Sequence, residues 1–146
     1  MTITIKYLAR LIALLVVVQA AVAVWGVAED IQFQEANPGV PSPFPLGAQL
    51  HGILGMYVIP IAALVLFVLT LIVRRARLWA GLALASAVVQ VLFGLGGILV
   101  TPYLGLLHGI NAFVLAGLAM MAAREVDKTQ EAAAHPQHRR QSQPVS

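Results

Sequence analysis

The tetrapeptide Leu-His-Gly-Ile occurs twice, at Leu50-His51-Gly52-Ile53 and at Leu107-His108-Gly109-Ile110. His51 and His108 are the only histidines outside the polar C-terminal stretch. Each lies near the start of a long apolar run. A second echo precedes each copy. Val17-Val18-Gln19 leads to Gly26, and Val88-Val89-Gln90 leads to Gly97 with the same spacing. The chain therefore reads as two related helical hairpins, each with a Gln on its first helix and a His on its second. Ionisable residues inside membrane spans are costly and usually functional. Two matched imidazoles facing across a helix bundle are a donor set for haem iron, without any thiolate. Zinc fits less well, because it wants four ligands, or three plus water, and no Asp, Glu or Cys lies within the apolar runs. The same lack of carboxylates weighs against a proton path.

These histidines need elements to position them, and the composition says which. Of 146 residues, 60% are hydrophobic and 10% charged, and the mean hydropathy is +0.86. That places the chain in the membrane class. With no cysteine, disulfides, thiolate metal sites and covalent c-type haem are excluded. The pI of about 9.8 does not indicate nucleic acid, because the basic residues flank the apolar runs.

A spanning helix needs roughly 20 apolar residues. Four segments qualify, at about 7–28, 46–73, 78–101 and 104–123. The expected fold is all-α, an integral membrane four-helix bundle over 1–126, followed by a disordered cytoplasmic tail over 127–146. All nine Lys and Arg fall on one side of this scheme. Lys6 and Arg10 precede the first span, Arg74, Arg75 and Arg77 join the second to the third, and Arg124, Lys128, Arg139 and Arg140 follow the fourth. Glu29, Asp30 and Glu35 occupy the opposite side. The positive-inside rule then puts both termini in the cytoplasm, in a multi-pass protein of the bacterial plasma membrane. Trp25, Phe44 and Tyr103 fit an outer aromatic belt, with Tyr7 and Trp79 at the inner interface. A rival reading takes the N-terminus as a signal peptide cleaved near Ala21-Val22-Ala23. That would leave three spans and break the repeat.

Pro60 should kink the second span. The segment from Glu29 to Pro45, with Pro38, Pro41, Pro43 and Pro45, should be extended with little helix. The tight turn at Thr101-Pro102-Tyr103 makes spans three and four antiparallel neighbours.

Helical spacing gathers the polar groups with small residues. His51 shares a face with Gly55, Val58 and Ala62, and His108 with Ala112, Leu115 and Ala119. Gln19 lines up with Ala23 and Gly26, and Gln90 with Gly94 and Gly97. Each histidine sits about a turn inside its span, roughly 6–8 Å deep at 1.5 Å per residue. The candidate site is a slot for a flat macrocycle, haem b, ligated by His51 and His108. Gly55, Gly94, Gly97 and Ala23 would give it room, with Gln19, Gln90 and Asn111 as flanking polar groups. Asn111 would orient the His108 ring, hydrogen-bond a cofactor edge, or join helices. The competing explanation is packing: small residues let membrane helices approach, and Gln19 and Gln90 would hydrogen-bond across the bundle. His135 and His138 have weak metal-ligand spacing.

At Leu107-His108-Gly109-Ile110-Asn111-Ala112, with His51 and Val17-Val18-Gln19, the chain resembles an uncharacterised family of small bacterial four-span proteins, a domain of unknown function. The likeness covers the four spans and brings no activity. More loosely, the chain is similar to one half of haem A synthase, which has paired histidines on the second and fourth helices of each four-helix half. That likeness implies haem b binding on the external side. It does not carry over the oxidase chemistry, since the chain has one half and no intramembrane acidic residue. The expected function is one-electron transfer through haem b, with the lipid bilayer, a quinone or an external redox protein as partners. A homo-oligomer is compatible with this. The alternative is a cofactor-free scaffold or accessory subunit. A transporter-like half is disfavoured by the lack of polar groups at midplane.

Overall fold

The computed structural model describes the backbone of residues 1–134 and the side chains of residues 1–128. Five helices build it: α1 (Thr2–Ala36), α2 (Leu46–Ile53), α3 (Ile59–Val73), α4 (Arg77–Leu99) and α5 (Pro102–Ala134). A π-helical turn, Leu54–Val58, joins α2 to α3 within one continuous span. The stretches Thr2–Ala36, Leu46–Val73, Arg77–Leu99 and Pro102–Lys128 are each long and apolar enough to cross a bilayer. Large apolar side chains cover the outside, Ile98 and Phe113 being 84% and 82% exposed. Water would not tolerate such a surface, and lipid requires it. The protein is an all-α, integral membrane four-helix bundle.

Span one packs on spans two and four, and span three on spans four and two. Spans two and four are therefore diagonal partners, facing one another across the bundle axis. The two halves of the bundle differ. The half holding the termini is closed around Ile5, Ala9, Ile12, Ala63, Leu66, Ala83, Ala119, Ala122 and Val126, all fully buried. The many alanines bring backbones close, and dispersion replaces the hydrophobic drive that lipid removes. This core ends near Ile59 and Leu115. Beyond it, the buried residues of α1 and α4 become Gln19, Gly26 and Gln90.

Pro60 acts as its chemistry requires. It has no N–H for the carbonyl of Met56, and its ring crowds that carbonyl. The backbone answers one turn earlier by widening to a π turn, in which Ile59 N–H donates to Leu54 O.

The loop expectation needs correction. Residues 29–36 are helical and belong to α1. The prolines begin only at Pro38, so nothing before Asn37 stops the helix. Gln34 donates to Asp30 one turn back at 2.8 Å, and Asn37 ends the helix by bonding Phe33 O at 3.0 Å. Gly39, at φ +81°, turns the chain towards α2. At the other end, α5 continues through Ala134. Residues 127–134 of the expected tail are thus helical. The rest of that tail, with His135, His138, Arg139 and Arg140, lies outside the described residues.

Asp127 holds the two terminal segments together. Its carboxylate pairs with Lys6 at 2.5 Å and Arg10 at 3.1 Å. The Lys6 hydrogen bond and the charges of Lys6 and Arg10 outweigh desolvation and hold the Asp127 carboxyl below its ordinary range. A carboxylate depressed on folding adds stability that is present above its unfolded pKa and lost as pH falls through the folded value. The melting temperature in detergent should therefore drop slightly as pH falls below about 4. Asp127→Asn should flatten that part of the profile, and an exposed ion pair makes the effect small. An undiminished drop in the variant would assign it to other carboxylates.

Candidate functional site

The open half of the bundle brings the two histidines together. His51 reaches in from α2 and His108 from α5, with ring centroids 5.8 Å apart and ring planes at 66°. The Cα–Cβ bonds of a helix tilt towards its N-terminus, so both rings lean towards the N-terminal ends of α2 and α5, away from the closed half of the bundle.

Each ring is held in the same way, and this gives the sequence repeat its physical meaning. His51 Nδ1 lies 3.1 Å from Gln19 O, and His108 Nδ1 lies 2.8 Å from Gln90 O. A carbonyl oxygen only accepts, so Nδ1 is the protonated nitrogen in both rings. The proton is thereby kept off Nε2, whose lone pair is left available. Among the described residues neither Nε2 has a protein partner. Metal-binding imidazoles commonly have this arrangement, with the far N–H on a carbonyl fixing tautomer and ring angle.

A cavity of about 460 Å³ lies at the pair. Its wall includes Gln19, His51, Gly55, Gln90, Gly94, Gly97 and His108. Gly52, Met56, Val91, Leu95, Ile98, Pro102 and Gly105 complete it. The volume falls in the usual range for small-molecule and cofactor sites. The opening has a structural cause. Among the described residues the α2 backbone comes close to that of α1 and of no other span, and the π turn touches α4 only lightly. Spans two and three therefore part in this half. The exposed side chains of Met56, Leu95 and Ile98 stand at a gap that faces lipid.

The glycines play more than one part. Gly94 abuts the His108 ring, and a Cβ there would meet Nδ1 at 3.1 Å and Cε1 at 3.2 Å. Gly55 makes space for the Gln19 amide, which a Cβ would overlap. Gly97 crosses Gly105 so closely that a Cβ would lie 2.8 Å from its backbone. At the same level of the other hairpin, Gly26 crosses Gly47 with no room for any side chain. Glu29 fixes this second crossing by accepting from Gly47 N–H at 2.9 Å. It thereby caps α2 one turn before His51.

Not every expected residue reaches the cavity. Ala23 lies on the α1 stripe but is absent from the wall. Asn111 stands behind Gln90 and ties α5 to α4. Its Nδ2 donates to Gln90 Oε1 at 2.6 Å and to Ser86 O at 2.9 Å, and its Oδ1 accepts from Ser86 Oγ at 3.0 Å. Gln90 Nε2 donates to His108 O at 2.9 Å. Gln90 thus bonds within its own hairpin and not with Gln19. Ser86 was not singled out from the sequence, although it sits one turn before Gln90. Nor were Met56, Gly47 and Gly105, whose signal was proximity to a repeated histidine. Among the described residues no third His, Asp, Glu or Cys joins the imidazole pair.

No family model, curated protein or solved structure matches this chain.

Proposed function

We propose that this membrane bundle holds one b-type haem between His51 and His108 and passes single electrons through it. The observation that carries the reading is the imidazole pair. Both rings keep their protons on backbone carbonyls, and both offer an unpartnered Nε2 beside one apolar cavity. Imidazole binds first-row metal ions at about 2 Å, so two rings sharing one ion have centroids roughly 6 Å apart. The 5.8 Å separation is close to that spacing. Rings on a common axis are free to rotate about it, and a 66° interplanar angle is compatible with such sharing.

In this reading the haem supplies the redox chemistry, and the chain supplies ligation and a low-dielectric wall. Gly94 and Gly55 keep side chains out of the slot. Gln90, braced by Asn111 and Ser86, sets the His108 ring. The orientation that suits the charges places both termini in the cytoplasm and the histidines in the outer leaflet. The gap between spans two and three offers a membrane quinone an approach, and the external loop offers one to a redox protein.

The test is the ferric electron paramagnetic resonance spectrum of protein purified after expression with ample haem. A low-spin signal with one haem per chain is expected. A purely high-spin signal, or haem well below one per chain, would count against bis-imidazole ligation.

A further inference from the structure

The two hairpins share a repeat, but their glutamines are used differently. Gln90 spends its side chain inside the protein, on His108 O and Asn111. Gln19 is 5% exposed and lines the cavity, yet among the described residues its amide has no hydrogen-bond partner. No buried side-chain nitrogen or oxygen among the described residues lacks a partner, so this amide is open to the cavity. A molecule in the cavity with an acceptor atom would find a donor there.

The histidines differ in the same sense. His108 is set from both sides, by Gln90 O at 2.8 Å and by the Gln90 amide on its own carbonyl. His51 has a single contact to Gln19 O at 3.1 Å. The backbone of its helix α2 comes close, among the described residues, to that of no span but α1, and runs three residues later into the π turn. Such turns are frequent at functional sites and mark helices that have given up regular bonding. His51 is thus the loosely held ring, and the free amide of Gln19 is its neighbour. Gly55, on the next turn below His51, leaves that amide its place.

We propose that the site binds small neutral diatomic molecules, of the class of CO and NO, on the His51 side of the iron, with Gln19 Nε2 donating to the bound molecule. The proposal rests on the haem reading above. The step is a ligand substitution. The bond from His51 Nε2 to the metal breaks and one to the diatomic forms. No electron or proton is transferred, and His51 keeps its Nδ1 proton. A donor beside the binding position is one of the features by which a haem pocket selects ligands.

The experiment adds CO, and separately NO, to the reduced haem-loaded protein in detergent. It follows the absorption spectrum, ligand rates and the infrared C–O stretch. CO is expected to shift the Soret band. In the haem each variant retains, both His51→Ala and His108→Ala should bind CO at least about tenfold faster, but only in His51→Ala should the C–O stretch still respond to Gln19. Gln19→Met should raise the C–O stretch and speed NO release roughly two- to tenfold, the range one neutral hydrogen bond supplies. Gln19→Asn, which shortens the amide and keeps it polar, should shift the stretch in the same direction. Three outcomes would overturn the proposal: no spectral change under saturating CO, a Gln19-dependent stretch found in His108→Ala and not in His51→Ala, or a C–O stretch that neither Gln19 variant moves. A preparation with no Soret band before CO is added fails the haem reading itself, and the diatomic proposal falls with it.

Discussion

On the proposed haem assignment, Gly94→Leu is expected to strip the protein of cofactor while leaving it folded in the membrane. A Cβ at this position already stands 3.1–3.2 Å from the His108 ring. The rest of a leucine has two places to go: the cavity, or the space the imidazole occupies. In the first case it fills the slot. In the second it swings His108 Nε2 away from its partner ring. Either way two-point ligation is lost, and haem content should fall at least about tenfold, since one ligand bond contributes well over the ~1.4 kcal/mol of each factor of ten. The backbone near Gly94 is not in close approach to another helix, so insertion and helicity should persist. Gly97→Leu makes an informative contrast. It too should lose haem, but by driving α4 away from Gly105, so its loss should come with a lower melting temperature. Haem content by pyridine haemochromogen, beside thermal melts by circular dichroism, separates the two. Haem retained in full by Gly94→Leu would mean that the cavity is not the cofactor slot.

Gly47→Val should be the most damaging single change at the open end of the bundle. The Gly26–Gly47 crossing has no room for a Cβ on either residue, and the atoms in the way are backbone. They cannot move without separating α1 from α2. Overpacking of this kind costs about 1–3 kcal/mol, and more where backbone must shift. The change also withdraws Gly47 N–H from Glu29, so α2 loses its N-terminal partner. His51, one turn on, then loses its register with Gln19 O. We expect a melting temperature several degrees lower, by about the 2–8 °C that 1 kcal/mol produces in domains of this size range, together with loss of haem. Gly52→Val, on the same helix, meets nothing within 4 Å and should leave the melting temperature nearly unchanged. Equal behaviour of the two variants would show that the glycine crossing is not what holds α2.

The sequence made the spans and their pairing legible because lipid imposes strong constraints. Backbone groups must be satisfied within a helix, and apolar runs of span length have few alternatives. The repeat around His51 and His108 likewise pointed to two rings at one depth, and the structure brings them within 5.8 Å. The roles of individual small residues were not legible. Gly55, Gly94 and Gly97 look alike as a stripe, yet one houses an amide, one abuts an imidazole and one crosses a backbone. Those distinctions depend on which element lies opposite, and spacing along one helix does not carry that. The same holds for Gln19 and Gln90, equivalent in the repeat and different in their partners because only the second hairpin has an Asn111 and a Ser86. The helix over residues 29–36 was hidden by the prolines after it. Their influence reaches back only to the residue before each, not to a whole segment.

The absorption spectrum of the detergent-purified protein, oxidised and dithionite-reduced, tests the haem assignment most directly when recorded beside His51→Ala and His108→Ala. A Soret band with sharp reduced α and β bands, lost or converted in either variant, is the expected result. A colourless protein, after expression with ample haem, would contradict it. The imidazole pair would then be a structural contact in a cofactor-free membrane scaffold.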